Sequence, residues 1–257
     1  MPLISVITIN YNNAEGLQKT IDSVSGQSFK DIEFIVIDGG SSDKSVEIIK
    51  QSKNISHWVS EKDKGIYNAQ NKGIAKATGD YLLFLNSGDI LAEKNTLEKV
   101  VSHLSKTDIV YGDLITEDAK GVKKEETSPE TLDVYHFMIS TLWHPVSFIH
   151  NSVFKRFGNY NEEFMITADY EFFIRAILKH GVSYKHIPVY VCVFDLKGVS
   201  NNPENDKLQT EERKKSWLAN FSPAAVSSFE EHTKLLRSGE YKIGKKIKNL
   251  KNFFGKK

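Results

Sequence analysis

The sequence predicts an α/β fold in which a mostly parallel central sheet is flanked by helices on both faces. Apolar runs and segments with helical periodicity alternate four times within the first 90 residues. The apolar runs are short, continuous and rich in β-branched residues, which is typical of parallel strands buried on both faces. This alternating order favours parallel strands joined by right-handed crossover helices.

Each of the first four predicted strands is an apolar run that ends at polar residues. These strands cover residues 3–9, 32–37, 55–60 and 81–85. The helices between them are predicted at residues 14–24, 43–49 and 67–77. In the first helix, Leu17, Ile21 and Val24 recur at helical spacing. The second is predicted to begin at Asp43, whose carboxylate can accept hydrogen bonds from free backbone N–H groups.

The second half of the chain is less regular, and its elements are predicted from shorter apolar patterns. Further helices are predicted at residues 97–104, 129–137 and 167–180. Further strands are predicted at residues 109–115, 146–149 and 189–194. No internal repeat or low-complexity linker separates these elements, so we expect one continuous domain with a C-terminal appendage.

Composition excludes several classes of protein. The 257 residues are 40% hydrophobic and 11% aromatic, which is too apolar for a disordered chain. The single cysteine, Cys192, excludes an intramolecular disulfide framework and lies in an apolar run typical of a buried strand. No apolar run approaches the roughly 20 residues of a membrane-spanning helix, and no signal-peptide pattern is present. We therefore expect a cytoplasmic protein.

Polar and acidic residues follow the predicted strands at the edge where ligands of such sheets bind. They are Asn10, Tyr11, Asp38, Glu61, Asp63 and Asp89. Asp89 lies beside Gly88 and offers the carboxylate oxygen that Mg²⁺ and Mn²⁺ prefer. A turn in which Asp89 caps the next helix is the alternative. No Gly-x-Gly-x-x-Gly follows the first strand, which disfavours a dinucleotide enzyme.

Five blocks within the first 89 residues have the order and spacing of a known family. They are SVITINYN at 5–12, QSF at 27–29, VIDGGSSD at 36–43, SEKDKGIYNAQNKGI at 60–74 and ATGDYLLFLNSGD at 77–89. With these blocks the chain resembles the family 2 inverting glycosyltransferases of bacterial polysaccharide biosynthesis. The resemblance implies a GT-A (nucleotide-diphospho-sugar transferase) fold over residues 1–220. It also implies a nucleotide-binding half at 1–90 and an acceptor-binding half at 91–220.

The resemblance implies an enzyme that transfers a sugar from a nucleotide-diphosphate donor to a hydroxyl acceptor with inversion. By family frequency the donor is expected to be a UDP-sugar, and the acceptor a glycan or a lipid-linked molecule. A module that binds nucleotide sugar without turnover is the alternative. It is favoured by Asn86 and Ala168, which stand where many relatives have carboxylates. Nucleic acid is not expected as a partner, since the net charge is only +1.

The implied donor site lies along the carboxyl ends of the strands. Tyr11 would offer its ring face to the base, and Asp38 would accept a hydrogen bond from the base or ribose. The full set of implied donor-binding residues is Thr8, Asn10, Tyr11, Asp38, Glu61, Asp63, Lys64, Ser87 and Gly88. Lys64 and Lys72 could steer the phosphates, while a solvated surface position is equally open for both.

The implied cofactor is a divalent metal, Mn²⁺ or Mg²⁺, with Asp89 as its ligand. Asp169 is the implied general base, because inverting transfer needs a group that takes the proton of the acceptor hydroxyl. A helix N-cap is the competing role for Asp169. His144 and Ser200 are predicted to contact the acceptor or the diphosphate. A structural role remains open for His144, and Ser200 belongs to a Gly-Val-Ser sequence that resembles a mobile family loop.

The C-terminal sequence at 221–257 is predicted to form a helical basic appendage. Residues 237–257 contain eight basic residues and one acid. Apolar residues at spacings of four, three and four predict one face of a basic amphipathic helix: Ile243, Ile247, Leu250 and Phe254. Such a helix suits an anionic membrane surface, so peripheral attachment to the inner membrane face is a further expectation. A docked or frayed basic terminus is the alternative.

Overall fold

The first half of the chain forms four parallel strands joined by helices, as predicted. The computed structural model describes residues 3–238. Its first elements are β1 (Ile4–Asn10), α1 (Ala14–Ser25), β2 (Ile32–Asp38), α2 (Ser45–Gln51), β3 (His57–Ser60), α3 (Ile66–Lys76) and β4 (Tyr81–Phe84). The strands lie in the order β3-β2-β1-β4, and every neighbouring pair among them is parallel. The predicted parallel sheet is therefore confirmed in this half.

The second half extends the same sheet with shorter and more varied elements. They are β5 (Ile90–Leu91), α4 (Thr96–Val101), β6 (Ile109–Glu117), β7 (Lys123–Glu126), α5 (Val134–Ile139), β8 (Ser147–His150), α6 (Asn151–Phe157), α7 (Ala168–Phe173), β9 (Tyr184–Asp195), α8 (Asp206–Asn220) and α9 (Pro223–Arg237). A π-helical segment, Ile174–Lys179, continues α7. Within the described residues, the sheet order is β3-β2-β1-β4-β8-β6-β9-β5, with β7 paired to β6.

Strand directions bring most carboxyl ends to one edge of the sheet. Strand β8 is antiparallel to both β4 and β6, so β6 runs in the same direction as β4. Strand β9 is parallel to β6 and therefore shares that direction as well. The carboxyl ends of β1, β2, β3, β4, β6 and β9 thus emerge at a single edge, called here the carboxyl edge.

Both faces of the sheet are buried under helices. In β1, Ile7 faces a cluster that includes Tyr67 of α3. Its neighbour Val6 faces a second cluster that includes Leu17 of α1. Burial on both faces explains why these strands read as continuous apolar runs rather than alternating patterns. The predicted α/β fold with helices on both faces is confirmed.

The start of one predicted helix was wrong. The helix predicted at 129–137 begins only at Val134, because Asp133 caps its first turn by accepting from the His136 N–H at 2.7 Å. Within the predicted appendage, Phe229 of α9 packs against Trp217 with ring centroids 5.7 Å apart. The helix predicted from Ile243 to Phe254 lies outside the described residues. No helix within residues 3–238 is both long and apolar enough to cross a membrane.

Candidate active site

An open cleft with a volume of about 410 Å³ lies at the carboxyl edge beside β1 and β2. It is lined by Tyr11, Gly39, Gly40, Lys62 and Asp63. The Tyr11 side chain is 67% exposed, which leaves its ring available to stack on a planar ligand. A Cβ atom at Gly39 would lie 2.6 Å from Asp63 Oδ2, so a side chain at this position would require the Asp63 carboxylate to move. The predicted donor residues Tyr11 and Asp63 are thus brought together.

Asp38 lies at the end of β2 but is fully buried. Its Oδ1 accepts from Asn10 Nδ2 at 2.8 Å and Ser41 Oγ at 2.6 Å. Its Oδ2 accepts from the Ser41 N–H at 2.9 Å and Ser60 Oγ at 2.6 Å. Burial acts to raise the pKa of Asp38, but these hydrogen bonds outweigh it and hold the pKa below its ordinary value. Asp38 therefore ties together the loops after β1, β2 and β3, and a ligand would have to displace one of these donors.

Two other implied donor residues at β1 are also used within the protein. Thr8 is fully buried, and its hydroxyl donates to the Leu85 carbonyl oxygen at 2.7 Å. Asn10 is 4% exposed and donates to Asp38. The structure therefore does not bring Thr8 into the cleft. Asn10 holds the Asp38 carboxylate through its hydrogen bond.

The residues after β3 divide between the cleft and helix α3. Glu61 Oε1 pairs with Lys72 Nζ at 2.8 Å, which commits both side chains to each other rather than to the cleft lining. Asp63 lines the cleft, and its Oδ1 accepts from the Gly65 N–H at 3.0 Å. Lys64 is exposed, with no described contact of its side chain to the cleft residues. Of this group, Asp63 has the strongest geometric case for donor contact.

The turn after β4 places Asp89 at the carboxyl edge. Thr20 of α1 holds this turn, since its Oγ1 donates to the Asp89 carbonyl oxygen at 2.7 Å and accepts from the Gly88 N–H at 3.0 Å. Gly88 has φ +110°, a left-handed value that a residue with a side chain adopts only with strain. Asn13 Nδ2 donates to the Ser87 carbonyl at 3.0 Å, which joins this turn to the loop after β1.

Asp195, which sequence analysis missed, lies against this turn. Its N–H donates to Asp89 Oδ1 at 3.1 Å, and its Oδ2 would lie 3.5 Å from a Cβ placed on Gly88. Burial, with the charge of Asp195 as a smaller cause, raises the pKa of Asp89 to about 7. Within residues 3–238, no ion pair joins either carboxylate to a basic side chain. The two carboxyl groups offer oxygen ligands of the kind that a hard divalent cation prefers, but no group of three or more His, Cys, Asp or Glu side chains that could hold a metal is found within the described residues. Asp89 does not cap the next helix, because strand β5 follows it and the N-cap residue of α4 is Asn95.

Asp169 is the second residue of α7, and its carboxylate is held by helix α3. Tyr67 Oη lies 2.8 Å from Asp169 Oδ1. The segment that enters α7 is held by Glu212 of α8. Its carboxylate accepts from the N–H groups of Met165 at 2.6 Å and of Ile166 and Thr167 at 3.0 Å each. The N-cap position of α7 is Thr167, so Asp169 does not have the competing N-cap role.

Helix α3 contacts Asp169 and the turn that precedes Asp89. Tyr67 contacts Asp169, and Gln70 Nε2 lies 3.5 Å from Asn86 Oδ1 in the turn that leads to Asp89. Side chains three residues apart on a helix are neighbours on one face, with Cβ atoms about 5–6 Å apart. One face of α3 therefore contacts both the Asp169 carboxylate and the turn that leads to Asp89.

Comparison with known proteins identifies the family of this site. The family model described as Glycosyl transferase family 2 matches residues 5–181. The chain belongs to glycosyl transferase family 2. An uncharacterized glycosyltransferase of Mycobacterium tuberculosis is 35% identical over 209 residues, which cover 79% of each chain. A PGL/p-HBAD biosynthesis glycosyltransferase of Mycobacterium bovis is 30% identical over 213 residues, covering 80% of this chain and 82% of the relative.

Solved structures confirm the GT-A fold of this family 2 glycosyltransferase. S. aureus TarS 1-349 in complex with UDP matches with a TM-score of 0.63 and 21% identity, over 76% of this chain and 60% of that chain. A longer TarS structure is covered over only 37% of its length. The mannosyltransferase PcManGT from Pyrobaculum calidifontis, solved with GDP-Man and Mn²⁺, matches with a TM-score of 0.58 and 14% identity, over 100% of this chain and 88% of that chain.

Sequence signals for the two missed residues differ in strength in this glycosyltransferase. Asp195 directly follows the predicted strand at 189–194, so the rule that ligands bind at carboxyl ends could have found it. The sequence did not give the direction of that strand, which was needed to place Asp195 at the carboxyl edge. Glu212 lies in a helix beyond the matched residues 5–181, and no local pattern marks its contact with α7.

His144 lies in the aromatic core rather than at the cleft. It is 8% exposed and stacks on Phe84 with ring centroids 4.5 Å apart. Its Nε2 lies 2.7 Å from Tyr160 Oη. Burial lowers the pKa of His144 to about 4, although the charge of Asp169 acts to raise it. These contacts favour the structural role that the sequence left open.

The free energy of unfolding of the glycosyltransferase is expected to decrease as pH decreases, because of His144. Its folded pKa lies below the ordinary value of 6.5, so the unfolded chain binds this proton more readily between about pH 6.5 and pH 4. This contribution is present above pH 6.5 and is lost as pH falls, at about 1.4 kcal/mol per pH unit. His144→Phe should flatten the pH dependence of the free energy of unfolding in urea. Replacing the exposed His232 by Phe is the control, and an unchanged slope in His144→Phe would contradict the assignment.

Ser200 lies on the loop that follows β9. It is exposed, and its carbonyl oxygen accepts from Gln209 Nε2 of α8 at 2.8 Å. The loop begins at Asp195 and therefore leaves the sheet beside Asp89. Its predicted contact with acceptor or diphosphate stays a prediction.

Proposed function

We propose that this family 2 glycosyltransferase transfers a sugar from a UDP-sugar to a hydroxyl group of a surface glycan or lipid-linked acceptor, with inversion. The observation that carries the proposal is the convergence of three groups at the carboxyl edge. These are the cleft beside Tyr11, the carboxylate pair Asp89 and Asp195, and the partly exposed Asp169. The cleft would bind the nucleotide, and the carboxylate pair would bind a divalent cation. Asp169 would contact the acceptor hydroxyl.

The comparisons support the choice of donor and acceptor class. TarS has been solved with UDP and with UDP-GlcNAc, and PcManGT with GDP-Man and Mn²⁺. Relatives named for PGL/p-HBAD biosynthesis support a role in the assembly of cell-surface glycans. The basic sequence after Arg237 supports peripheral attachment to an anionic membrane, where a lipid-linked acceptor would be found.

The chemistry assigned to the residues is a single displacement. A divalent cation held by Asp89 and Asp195 would neutralise negative charge on the leaving diphosphate. Asp169 takes the proton of the acceptor hydroxyl while the hydroxyl oxygen attacks the anomeric carbon. The new glycosidic bond forms while the bond from that carbon to the diphosphate breaks, which inverts the configuration. The Tyr11 ring holds the base of the donor, and Asp63 lines the same cleft.

UDP binding with and without Mn²⁺, measured by calorimetry, tests this proposal in one series. Tyr11→Ala should weaken UDP binding about 5- to 150-fold under both conditions, because stacking on a base contributes about 1–3 kcal/mol. Asp89→Ala should remove only the increment that Mn²⁺ provides. Trp58→Ala, a change at a 43% exposed aromatic residue on β3, is the matched control. Equal UDP affinity in Tyr11→Ala and Trp58→Ala would refute the proposed cleft.

A further inference from the structure

The carboxylate of Asp169 has one described hydrogen-bond partner, the hydroxyl of Tyr67. Tyr67 is 5% exposed, and its oxygen lies 2.8 Å from Asp169 Oδ1 and 2.6 Å from the Ile166 carbonyl oxygen. Burial, followed by the charge of Asp169, raises the pKa of Tyr67 well above its ordinary value. The phenol therefore keeps its proton and acts as a donor at any pH at which the protein would work.

We propose that Tyr67 is a positioning residue that fixes one oxygen of Asp169 and leaves the other to take the acceptor proton. This inference rests on the proposed role of Asp169 as general base. A base works only when it is held within hydrogen-bond reach of the proton it removes, and an aspartate side chain rotates unless a neighbour restrains it. Asp169 is partly exposed, and no described hydrogen bond occupies its Oδ2.

The Ile166 carbonyl oxygen is a second acceptor for the Tyr67 hydroxyl proton during the reaction. A hydroxyl donates one proton, so it serves one of its two neighbouring oxygens at a time. An ionised carboxylate is the stronger acceptor, which favours donation to Asp169 before transfer. After Asp169 has taken the acceptor proton it is neutral, and the hydroxyl can turn to the Ile166 carbonyl without leaving a buried donor unpaired.

Helix α3 is itself fixed against the segment that precedes Asp169. Asn71 Nδ2 donates to the Tyr160 carbonyl oxygen at 2.9 Å, and the Tyr160 N–H donates to Asn71 Oδ1 at 3.1 Å. Asn68 Nδ2 donates to Glu162 Oε2 at 2.9 Å. Helix α3, which carries Tyr67, is therefore joined to this segment by side-chain hydrogen bonds.

The test compares Tyr67→Phe with Tyr111→Phe. Tyr111 is also fully buried, but its hydroxyl donates to the Pro129 carbonyl oxygen at 2.7 Å and to no carboxylate. Crystal structures of both variants should show a rotated or disordered Asp169 carboxylate in Tyr67→Phe alone. UDP release from a panel of UDP-GlcNAc, UDP-glucose and UDP-galactose should show kcat lowered about 10- to 100-fold in Tyr67→Phe. The UDP dissociation constant should stay within about twofold of the unmodified protein, because Tyr67 does not line the cleft.

The outcomes separate this inference from the proposed function. An Asp169 carboxylate that keeps its place in Tyr67→Phe, or a kcat equal to that of Tyr111→Phe, would overturn the positioning role. A loss of kcat that only follows the loss of thermal stability, and is matched by Tyr111→Phe, would overturn it as well. Sugar transfer that survives Asp169→Asn refutes the general base itself, and the crystal structure of Tyr67→Phe reads out the position of the carboxylate independently.

Discussion

Replacing Asp169 by Asn is expected to lower sugar transfer by at least about 100-fold, because general base catalysis contributes about 10²–10⁴ in rate. The amide has the same shape as the carboxylate and can still accept from Tyr67, but it cannot take a proton from the acceptor hydroxyl. Transfer is measured as UDP release from the panel of UDP-sugars in the presence of acceptor. UDP binding in the presence of Mn²⁺ should stay within about twofold.

Glu163→Gln provides the matched control for this variant. Glu163 lies on the same segment, is exposed and pairs with Lys215 at 3.0 Å on the surface. The Glu163→Gln variant should transfer sugar at the rate of the unmodified protein. Transfer by Asp169→Asn at the rate of this control would exclude Asp169 as the base. If the unmodified protein binds UDP but turns over no donor of the panel, the alternative of a binding module without turnover is favoured.

Replacing Glu212 by Ala is expected to lower the free energy of unfolding by about 3 kcal/mol. The Glu212 carboxylate is 6% exposed and accepts from three consecutive backbone N–H groups, those of Met165, Ile166 and Thr167. A buried donor left without an acceptor costs about 1–3 kcal/mol, and water reaching the site would recover part of this. The corresponding fall in melting temperature is roughly 6–12 °C for a chain of this size.

Urea unfolding of Glu212→Ala, Glu212→Gln and Glu211→Ala checks this expectation. The Gln variant keeps one acceptor oxygen and should lie between the unmodified protein and the Ala variant. Glu211 is the exposed neighbour on α8, and its pair with Lys207 at 4.0 Å is a surface contact that contributes little. A Glu212→Ala variant as stable as Glu211→Ala would show that this carboxylate does not hold the N-terminus of α7.

The first four strands could be predicted from the sequence because burial on both faces leaves continuous apolar runs. The second half could not be predicted as well. Strand β7, Lys123–Glu126, is a charged strand paired to β6 and has no apolar pattern. Strand β5 has only two residues, and its pairing with β9 depends on tertiary structure. The antiparallel direction of β8 likewise could not be predicted from a short apolar run.

Candidate residues could be predicted from the sequence where they follow strands, although Asp195 was missed, whereas contacts that depend on packing could not be predicted. Tyr11, Asp63 and Asp89 follow strands and lie at the carboxyl edge. Thr8 and His144 matched family positions, but the structure buries both inside the protein. Their side chains pair with Leu85 and Tyr160, which are distant in sequence, so no local pattern could distinguish contact with a ligand from contact with the core.

The hydrogen bonds from the segment before α7 to Glu212 of α8 have a consequence for exchanging parts between related enzymes. The family match ends at residue 181, whereas Glu212 lies beyond it and supports the helix that carries Asp169. A chimera joined at residue 181 would therefore inherit the candidate base from one parent and its support from the other. Such chimeras should stay folded and active only when the incoming C-terminal segment brings a carboxylate to the place of Glu212.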